Sequence, residues 1–479
     1  MRKMTRDFRA NAEEACQDAP LRGILDHATR YFQGKRAAAL SAFPGRDDHF
    51  ARARAARLNA LSRLPQLLEE LEKNATAVGV HVHWASNGAE ASSIVCDIAR
   101  ENGVRVVVKG KSMITEEIEL NTALQQAGAE VWETDLGEFI VQLAGESPSH
   151  IIAPAIHKSR AQVADLFREK LGLVAEGKSD DIPELTRLAR VALREKFLAA
   201  DMGVTGVNMA VAETGSVILV ENEGNIRMST TCPPVHVAVM SIEKVVATLE
   251  DAADVLRALP RSATGQRMSS YVSVFTGPRK QGESDGARQM HLVILDNGRS
   301  KVLADPVLAE ALLCFRCGAC LNSCPVYQTI GGHAYGWIYS GPIGALLGSL
   351  LLPPEETRDT PYGCTLCGAC AKTCPLGIDH PKMLLALRQR NAADKGNLFG
   401  TMHSFLARHP LAYRASVAVA GAVDPQLNLL PRLPGFAGAA RFAQSRRLPE
   451  LKKPFSARLR ARQKIRAGQG FHADKENEK

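Results

Sequence analysis

No stretch of this sequence is long and apolar enough to cross a bilayer. The longest apolar runs, 343–353 and 415–423, fall well short of the ~20 residues that a spanning helix needs. The opening residues, Met1-Arg2-Lys3-Met4-Thr5-Arg6-Asp7, carry no apolar h-region, so a secretory signal is not expected. There is no G-x-G-x-x-G, and hence no ordinary dinucleotide fingerprint. A complete phosphate-binding P-loop is missing too. Gly110-Lys111-Ser112 ends like one, but the glycine required five residues earlier is Arg105, which excludes nucleotide hydrolysis. Nor is there a disulfide framework: of eleven cysteines, Cys16, Cys96 and Cys232 are scattered, and the other eight sit in two runs. The net charge of +8 is modest and uneven, with Lys452, Lys453, Arg458, Arg460, Arg462, Lys464 and Arg466 crowding the tail. Such a tail suits nucleic acid, anionic lipid or an acidic partner. Without aromatic interleaving, a solvated end or a protein contact is expected, and no nucleic acid.

What is present is sulfur. Residues 314–374 hold Cys314-x2-Cys317-x2-Cys320-x3-Cys324-Pro325 and, after a gap, Cys364-x2-Cys367-x2-Cys370-x3-Cys374-Pro375. The same run occurs twice, and it is the bacterial-ferredoxin spacing for a [4Fe–4S] cluster. Two-residue gaps let three sulfurs curl from one short turn onto three irons, while the fourth cysteine points away and serves the other cluster. Two [4Fe–4S] clusters are therefore expected. The first takes Cys314, Cys317, Cys320 and Cys374, and the second takes Cys364, Cys367, Cys370 and Cys324. Each closing proline ends its loop, because it fixes φ and has no N–H to donate. The competing readings are a zinc site or disulfides. Zinc sites usually take two CxxC pairs rather than tandem four-cysteine runs ending in proline. Clusters and free thiols both suit a reducing compartment, so a cytoplasmic protein is expected, with peripheral docking on a membrane complex left open.

At 479 residues the chain has room for two or three domains. Residues 1–78 read as helical. Leu58, Leu61, Leu64, Leu67, Leu68 and Leu71 recur at helical spacing within 51–75, and Pro65 must kink or split that pattern. Residues 79–300 alternate strands and helices. Strands are expected at 80–85, 104–108, 129–134, 150–153, 206–212, 216–221, 235–240, 271–275 and 291–295. Helices are expected at 89–101, 116–126, 137–143 and 182–199, the last capped by Asp180 or Asp181. This rhythm implies a mostly parallel sheet covered by helices on both faces, an α/β fold. Residues 301–390 form the cysteine-bearing domain, and 391–479 a C-terminal region of helical stretches, prolines (Pro425, Pro431, Pro434) and the basic end.

Several stretches of the α/β segment invite chemistry. Val108-Lys109-Gly110-Lys111-Ser112 lies after a strand and before a helix; it is either an anion-binding turn or an ordinary turn with solvated lysines. Glycines and polar residues crowd 203–216 and 222–227. In open α/β sheets ligands sit at such strand ends, so Glu213, Asn222, Glu223, Asn225 and Arg227 are candidates to line a pocket for a small anionic or carbonyl substrate, with Arg227 holding a carboxylate. The bland alternative is glycine turns capped by carboxylates. His236 and His157 are candidate proton acceptors, although a lone histidine at a strand start is more often structural. Cys232 reads as a free thiol.

These residues together resemble a family. The long spacer 326–363, with Tyr335-Gly336-Trp337-Ile338-Tyr339, looks like the helical ferredoxin-type domain of electron-transfer subunits in respiratory dehydrogenases and heterodisulfide reductases. Over nearly its whole length the chain resembles the iron–sulfur B component of bacterial L-lactate utilisation systems. The resemblance is carried by Val108-Lys109-Gly110-Lys111-Ser112-Met113, Glu133-Thr134-Asp135-Leu136-Gly137-Glu138, Pro148-Ser149-His150-Ile151-Ile152-Ala153-Pro154-Ala155-Ile156-His157-Lys158, 203–215, 222–227, Pro233-Pro234-Val235-His236, both cysteine runs, Leu448-Pro449 and Lys453-Pro454-Phe455. Gly110 departs from it, standing where a small polar residue such as Ser is expected. The resemblance implies a lactate-utilisation domain similar to the sugar-phosphate isomerase and CoA-transferase superfamily, joined to a helical two-cluster domain. It further implies an electron-transfer subunit of an NAD-independent L-lactate-oxidising complex. The implied partners are a cysteine-rich cluster-binding subunit and a second subunit with the lactate-utilisation domain. Should this subunit itself dehydrogenate lactate, Glu213, Asn225 and Arg227 with His236 as base are the expected catalytic group. The alternative is an isomerase- or transferase-like enzyme with structural or regulatory clusters.

Overall fold

The computed structural model describes residues 6–172, 180–393 and 398–416. It comprises two compact units, Met1–Asn391 and Ala392–Lys479. In the second, Leu398–Arg408 is helical; the basic stretch 452–466 and Pro425, Pro431 and Pro434 lie outside the described residues.

Four helices open the first unit: α1 (Phe8–Gln17), α2 (Ala19–Ser41), α3 (Arg46–Ser62) and α4 (Leu64–Ala77). Pro65 splits the leucine pattern rather than kinking it, because it falls in the first turn of α4, where its missing N–H costs nothing. Of the six leucines at helical spacing, Leu64, Leu67, Leu68 and Leu71 form a buried stripe of α4, Leu61 is buried in α3, and Leu58 is exposed there.

Ten strands follow among the described residues: β1 (Val80–Ala85), β2 (Val106–Lys109), β3 (Glu130–Glu133), β4 (Met202–Gly206), β5 (Met209–Val211), β6 (Ser216–Glu221), β7 (Val235–Ser241), β8 (Val245–Val246), β9 (Tyr271–Phe275) and β10 (Gln289–Leu295). Six form a parallel sheet in the order β1-β10-β7-β4-β2-β3. Its central strand β7 is buried at every position, which is why it reads as a nearly continuous apolar run. The other four make a mixed sheet, β8-β5-β6-β9.

Three expected elements differ, each for a local reason. Residues 150–153 bend instead of extending, because His150 Nδ1 accepts the backbone N–H groups of Ile152 (3.0 Å) and Ala153 (3.1 Å), the donors that a strand would place in a ladder. The expected strand 206–212 breaks at Val207-Asn208, where the chain passes from one sheet to the other and Asn208 Oδ1 accepts from Val220 N at 2.9 Å. The expected helix 116–126 is two helices, Met113–Glu117 and Leu120–Gln126, parted at Glu119 with φ of 52°. Asp181, rather than Asp180, caps Ile182–Ala199 by accepting from Glu184 N.

The cysteine-bearing segment does not stand apart. One hydrophobic core joins Leu25 of α2 and Ala53 of α3 to Met209 and Val255 of the α/β segment and to Leu312, Phe315, Tyr327 and Leu346. Helix Gly341–Leu351, apolar almost all round, is buried over its first eight residues within that core. Helices 1–78 and the cysteine loops, expected in separate regions, thus share one interior.

Candidate functional site

The two cysteine runs fold as near copies. Each begins after a single 3₁₀ segment, Ala309–Leu313 in one and Thr360–Gly363 in the other. Each then turns through two left-handed residues, Arg316 and Gly318 in the first run and Leu366 and Gly368 in the second. Each continues into one short helix, Ala319–Asn322 or Ala369–Thr373. The left-handed residues aim backbone N–H groups inward, and Arg316 N and Leu366 N each lie 3.3 Å from the Sγ of Cys314 and Cys364. Because the two short helices pack together, each run's fourth cysteine is carried to the other run's loop.

Electrostatic neighbours sort the thiols. Burial, then Cys314 and Cys374, raises the Cys317 thiol; burial, then Cys314, Cys317 and Cys374, and last Cys370 of the second run, raises that of Cys320. On the other side burial, then Cys324 and Cys364, pushes Cys370 up to about 12, and burial, with Cys364 and Cys367, raises Cys324. Cys374, pushed up to about 11 by burial, feels Cys314. Two groups of four soft donors, each closed by the other run's last cysteine and supplied with N–H donors, fit two iron–sulfur cubanes; the iron would draw off protons that burial otherwise holds on the sulfurs.

The two loops differ in surroundings. The tip of the first, Arg316, is buried against the α/β segment; its Nη1 donates to Cys314 O at 3.1 Å and its Nη2 to Glu243 Oε1 at 3.2 Å. Glu243 also faces Arg299 at 3.0 Å, and Arg299 reaches Glu117 at 2.8 and 2.7 Å, while Tyr339 donates to Glu117 at 3.0 Å. Burial by itself would raise Glu243, yet Arg299 and Arg316 hold it at about 2. Arg57 donates only to backbone carbonyls of Val245, Leu312 and Leu313. In contrast, the tip of the second loop, Leu366, is 38% exposed, and Cys367 and Tyr362 are exposed beside it.

Beside the first loop lies a cavity of about 240 Å³. Lys111, Ser112, Gly206, Asn208 and Ser241 reach it from the ends of β2, β4 and β7, with Lys244 just beyond β7, and Phe315, Arg316 and Tyr339 close it from the cysteine-bearing side. Burial, then Arg316, pushes the Lys244 ammonium down to about 7.

Of the expected pocket residues, Asn222, Glu223 and Asn225 line this cavity. Glu213, Arg227 and His236 do not. Glu213 instead accepts from Leu249 N at 2.7 Å, and the exposed Arg227 guanidinium lies 6.0 Å from the Tyr271 ring. His236, 2% exposed, is bound to Thr205 Oγ1 at 2.8 Å, and burial lowers it to about 4, so it is a neutral core histidine. In the turn after β2, Lys109 Nζ is fully buried between Glu116 (2.5 Å) and Glu133 (2.7 Å) and is not free for an anion, whereas Lys111 and Ser112 line the cavity. Residue reasoning missed Lys244, Arg316 and Tyr339. Its being the one charged residue between Cys314 and Cys324 was the signal that pointed to Arg316.

A parallel α/β domain joined to a helical pair of four-cysteine loops defines an iron–sulfur protein of two-cluster type. Family models agree: residues 68–295 match a LUD domain, and residues 310–378 match a 4Fe-4S dicluster domain. Lactate utilization protein B of Bacillus velezensis is 43% identical over 394 residues, covering 82% of each chain. Its counterpart in Bacillus licheniformis is 42% identical over 393 residues, again 82% of each, and that of Shouchella clausii is 41% identical over 418 residues, 86% of this chain and 87% of the other. The chain belongs to the lactate utilization protein B family. Among solved structures, a crystal structure of a DUF162 family protein from Deinococcus radiodurans aligns with 48% of this chain and 98% of its own, at 14% identity and a TM-score of 0.28, too low to speak for the fold. No helix among the described residues is long and apolar enough to cross a membrane.

Proposed function

We propose that this chain is the iron–sulfur electron-transfer subunit of a cytoplasmic complex that oxidises L-lactate to pyruvate without NAD. One observation carries the reading: the first cysteine loop forms a wall of a cavity inside the protein, and the second reaches the surface. A route with an inner and an outer end is what an electron conductor needs. The ligand sets are Cys314, Cys317, Cys320 and Cys374 at the inner end, and Cys364, Cys367, Cys370 and Cys324 at the outer end, as the thiol neighbours support. When bound, each cubane takes up one electron at a time, so the pair matches the two electrons that leave lactate with two protons as pyruvate forms.

The chain's own residues hold the arrangement. Arg316 ties the Cys314 carbonyl to Glu243, so the inner loop is anchored to the α/β segment through a buried ion pair. Arg36 donates to Thr373 O at 2.6 Å and places a cation beside Cys317 and Cys374. The names of the relatives supply lactate. A cysteine-rich cluster-binding subunit and a second subunit with the same α/β domain complete the complex.

The test is a Cys317→Ala strain grown on L-lactate, with the complex purified anaerobically and followed by EPR. Lost growth together with a missing cluster signal is expected. Normal growth, or clusters in the wild-type complex that lactate never reduces, would sink the proposal in favour of structural clusters.

A further inference from the structure

We infer that the cavity beside the first cysteine loop binds a small 2-hydroxy or 2-oxo monocarboxylate, with the Lys244 ammonium as its carboxylate anchor. The choice of substrate class rests on the reading above; the site itself rests on charge and geometry.

The cations around the cavity are nearly all committed. Lys111 Nζ donates to Ile152 O at 2.5 Å, and Arg316 holds Cys314 O and Glu243. Behind them Arg57 is spent on three carbonyls, and Arg299 on Glu117 and Glu243. Lys244 differs. It lines the cavity, and its ammonium has no hydrogen-bond or ion-pair partner among the described residues. A largely buried ammonium left without an acceptor is costly, and an anion in the cavity removes that cost.

Arg57, Lys244, Arg299 and Arg316 gather near Glu117 and Glu243, while the Asp135, Glu221 and Glu223 carboxylates line the cavity as well. Arg57, Lys244 and Arg316 all adjoin Cys314, and of the two that line the cavity, Lys244 and Arg316, only Arg316 has hydrogen-bond and ion-pair partners among the described residues. Ser241 and Asn208 offer neutral hydrogen-bonding groups for a hydroxyl or oxo oxygen, and Phe315 offers an apolar wall. Asp135 and Glu223 also line the cavity and repel a second acid group, so monocarboxylates are preferred over dicarboxylates.

The test uses full-length protein prepared anaerobically with about eight irons, four per cubane. Isothermal titration with L-lactate, pyruvate and L-malate should show saturable binding of at least one of the first two, with malate at least tenfold weaker. Lys244→Gln should weaken binding at least tenfold while iron content and the low-temperature EPR spectrum stay unchanged. Lys244→Arg, which keeps a cation, should bind within about fivefold of wild type and covers the case in which the glutamine variant loses its iron. Unchanged affinity in iron-replete Lys244→Gln, or no saturable binding of either acid by the wild type, overturns the site. Clusters that pass electrons without such binding sink this inference alone. Binding without any cluster reduction by lactate sinks the electron-transfer reading and leaves the site.

Discussion

Arg299 offers the sharpest test of what holds the two halves of the site together. Its side chain and those of Glu117 and Glu243 are all 0% exposed, with contacts of 2.7 Å to Glu117 and 3.0 Å to Glu243. Arg299→Met removes the cation and leaves two carboxylates buried. Glu117 keeps Tyr339 and Asn297 as donors, and Glu243 keeps Arg316. Breaking a buried pair in this way costs about 3–5 kcal/mol. Against a typical stability of ~5–15 kcal/mol this is a large share, and it raises the open population roughly 150- to 5,000-fold. A chain of this size need not unfold in one step, so the assay should be local. Hydrogen exchange across 309–320 reads the anchor directly, because Glu243 and Arg316 tie that loop to the α/β segment. Protection there should fall by at least a hundredfold. Arg299→Met combined with Glu117→Gln should recover part of it, since one orphaned charge is gone. The effect is also pH-dependent. Glu243 is depressed to about 2 in the fold, below the ~4.3 of an unfolded glutamate, so its pairing stabilises fully above pH 4.3 and is lost as pH falls towards 2. The gap between wild type and variant should therefore narrow below about pH 4. Exchange within fivefold of wild type at pH 7 would refute the claim that this ion pair anchors the loop.

Crosswise ligation makes Cys374→Ala and Cys314→Ala leave one residual EPR spectrum, and Cys324→Ala and Cys364→Ala the other, each with about four irons instead of eight; spectra grouped by sequence run would refute it. The exposed tip of the second loop predicts that Leu366→Asp slows electron delivery to the acceptor at least threefold, in stopped-flow reoxidation, with iron content unchanged. A Cβ on Gly332 would meet the Ser149 carbonyl oxygen at 1.8 Å, so Gly332→Ala should destabilise by roughly 1–3 kcal/mol in urea titrations of the intact protein.

Much of the molecule is legible residue by residue. The strands β1, β6 and β9 lie where their apolar runs end at turn residues, and the loops around both cysteine runs follow from spacing, because a cubane tolerates few ways of presenting three sulfurs from one turn. The expected catalytic group of Glu213, Asn225, Arg227 and His236 is not brought together: of the four only Asn225 lines the cavity. Polar residues near strand ends look alike in sequence whether they cap a helix, as Glu213 does at Leu249 N, or face a cavity, as Asn225 does. His236 needed a neighbouring strand to supply Thr205 before its role as a core histidine could be told from that of a base.

Sequence alone pointed to two [4Fe–4S] clusters and to the alternation that builds a parallel sheet, since both depend on spacing along the chain. Only the tertiary structure decided that Arg316 turns inward and Leu366 outward, although they occupy the same place in two copies of one loop. That difference comes from what each loop packs against. Glu243 and the core shared with α2 and α3 cover the first, while the second is left exposed to solvent.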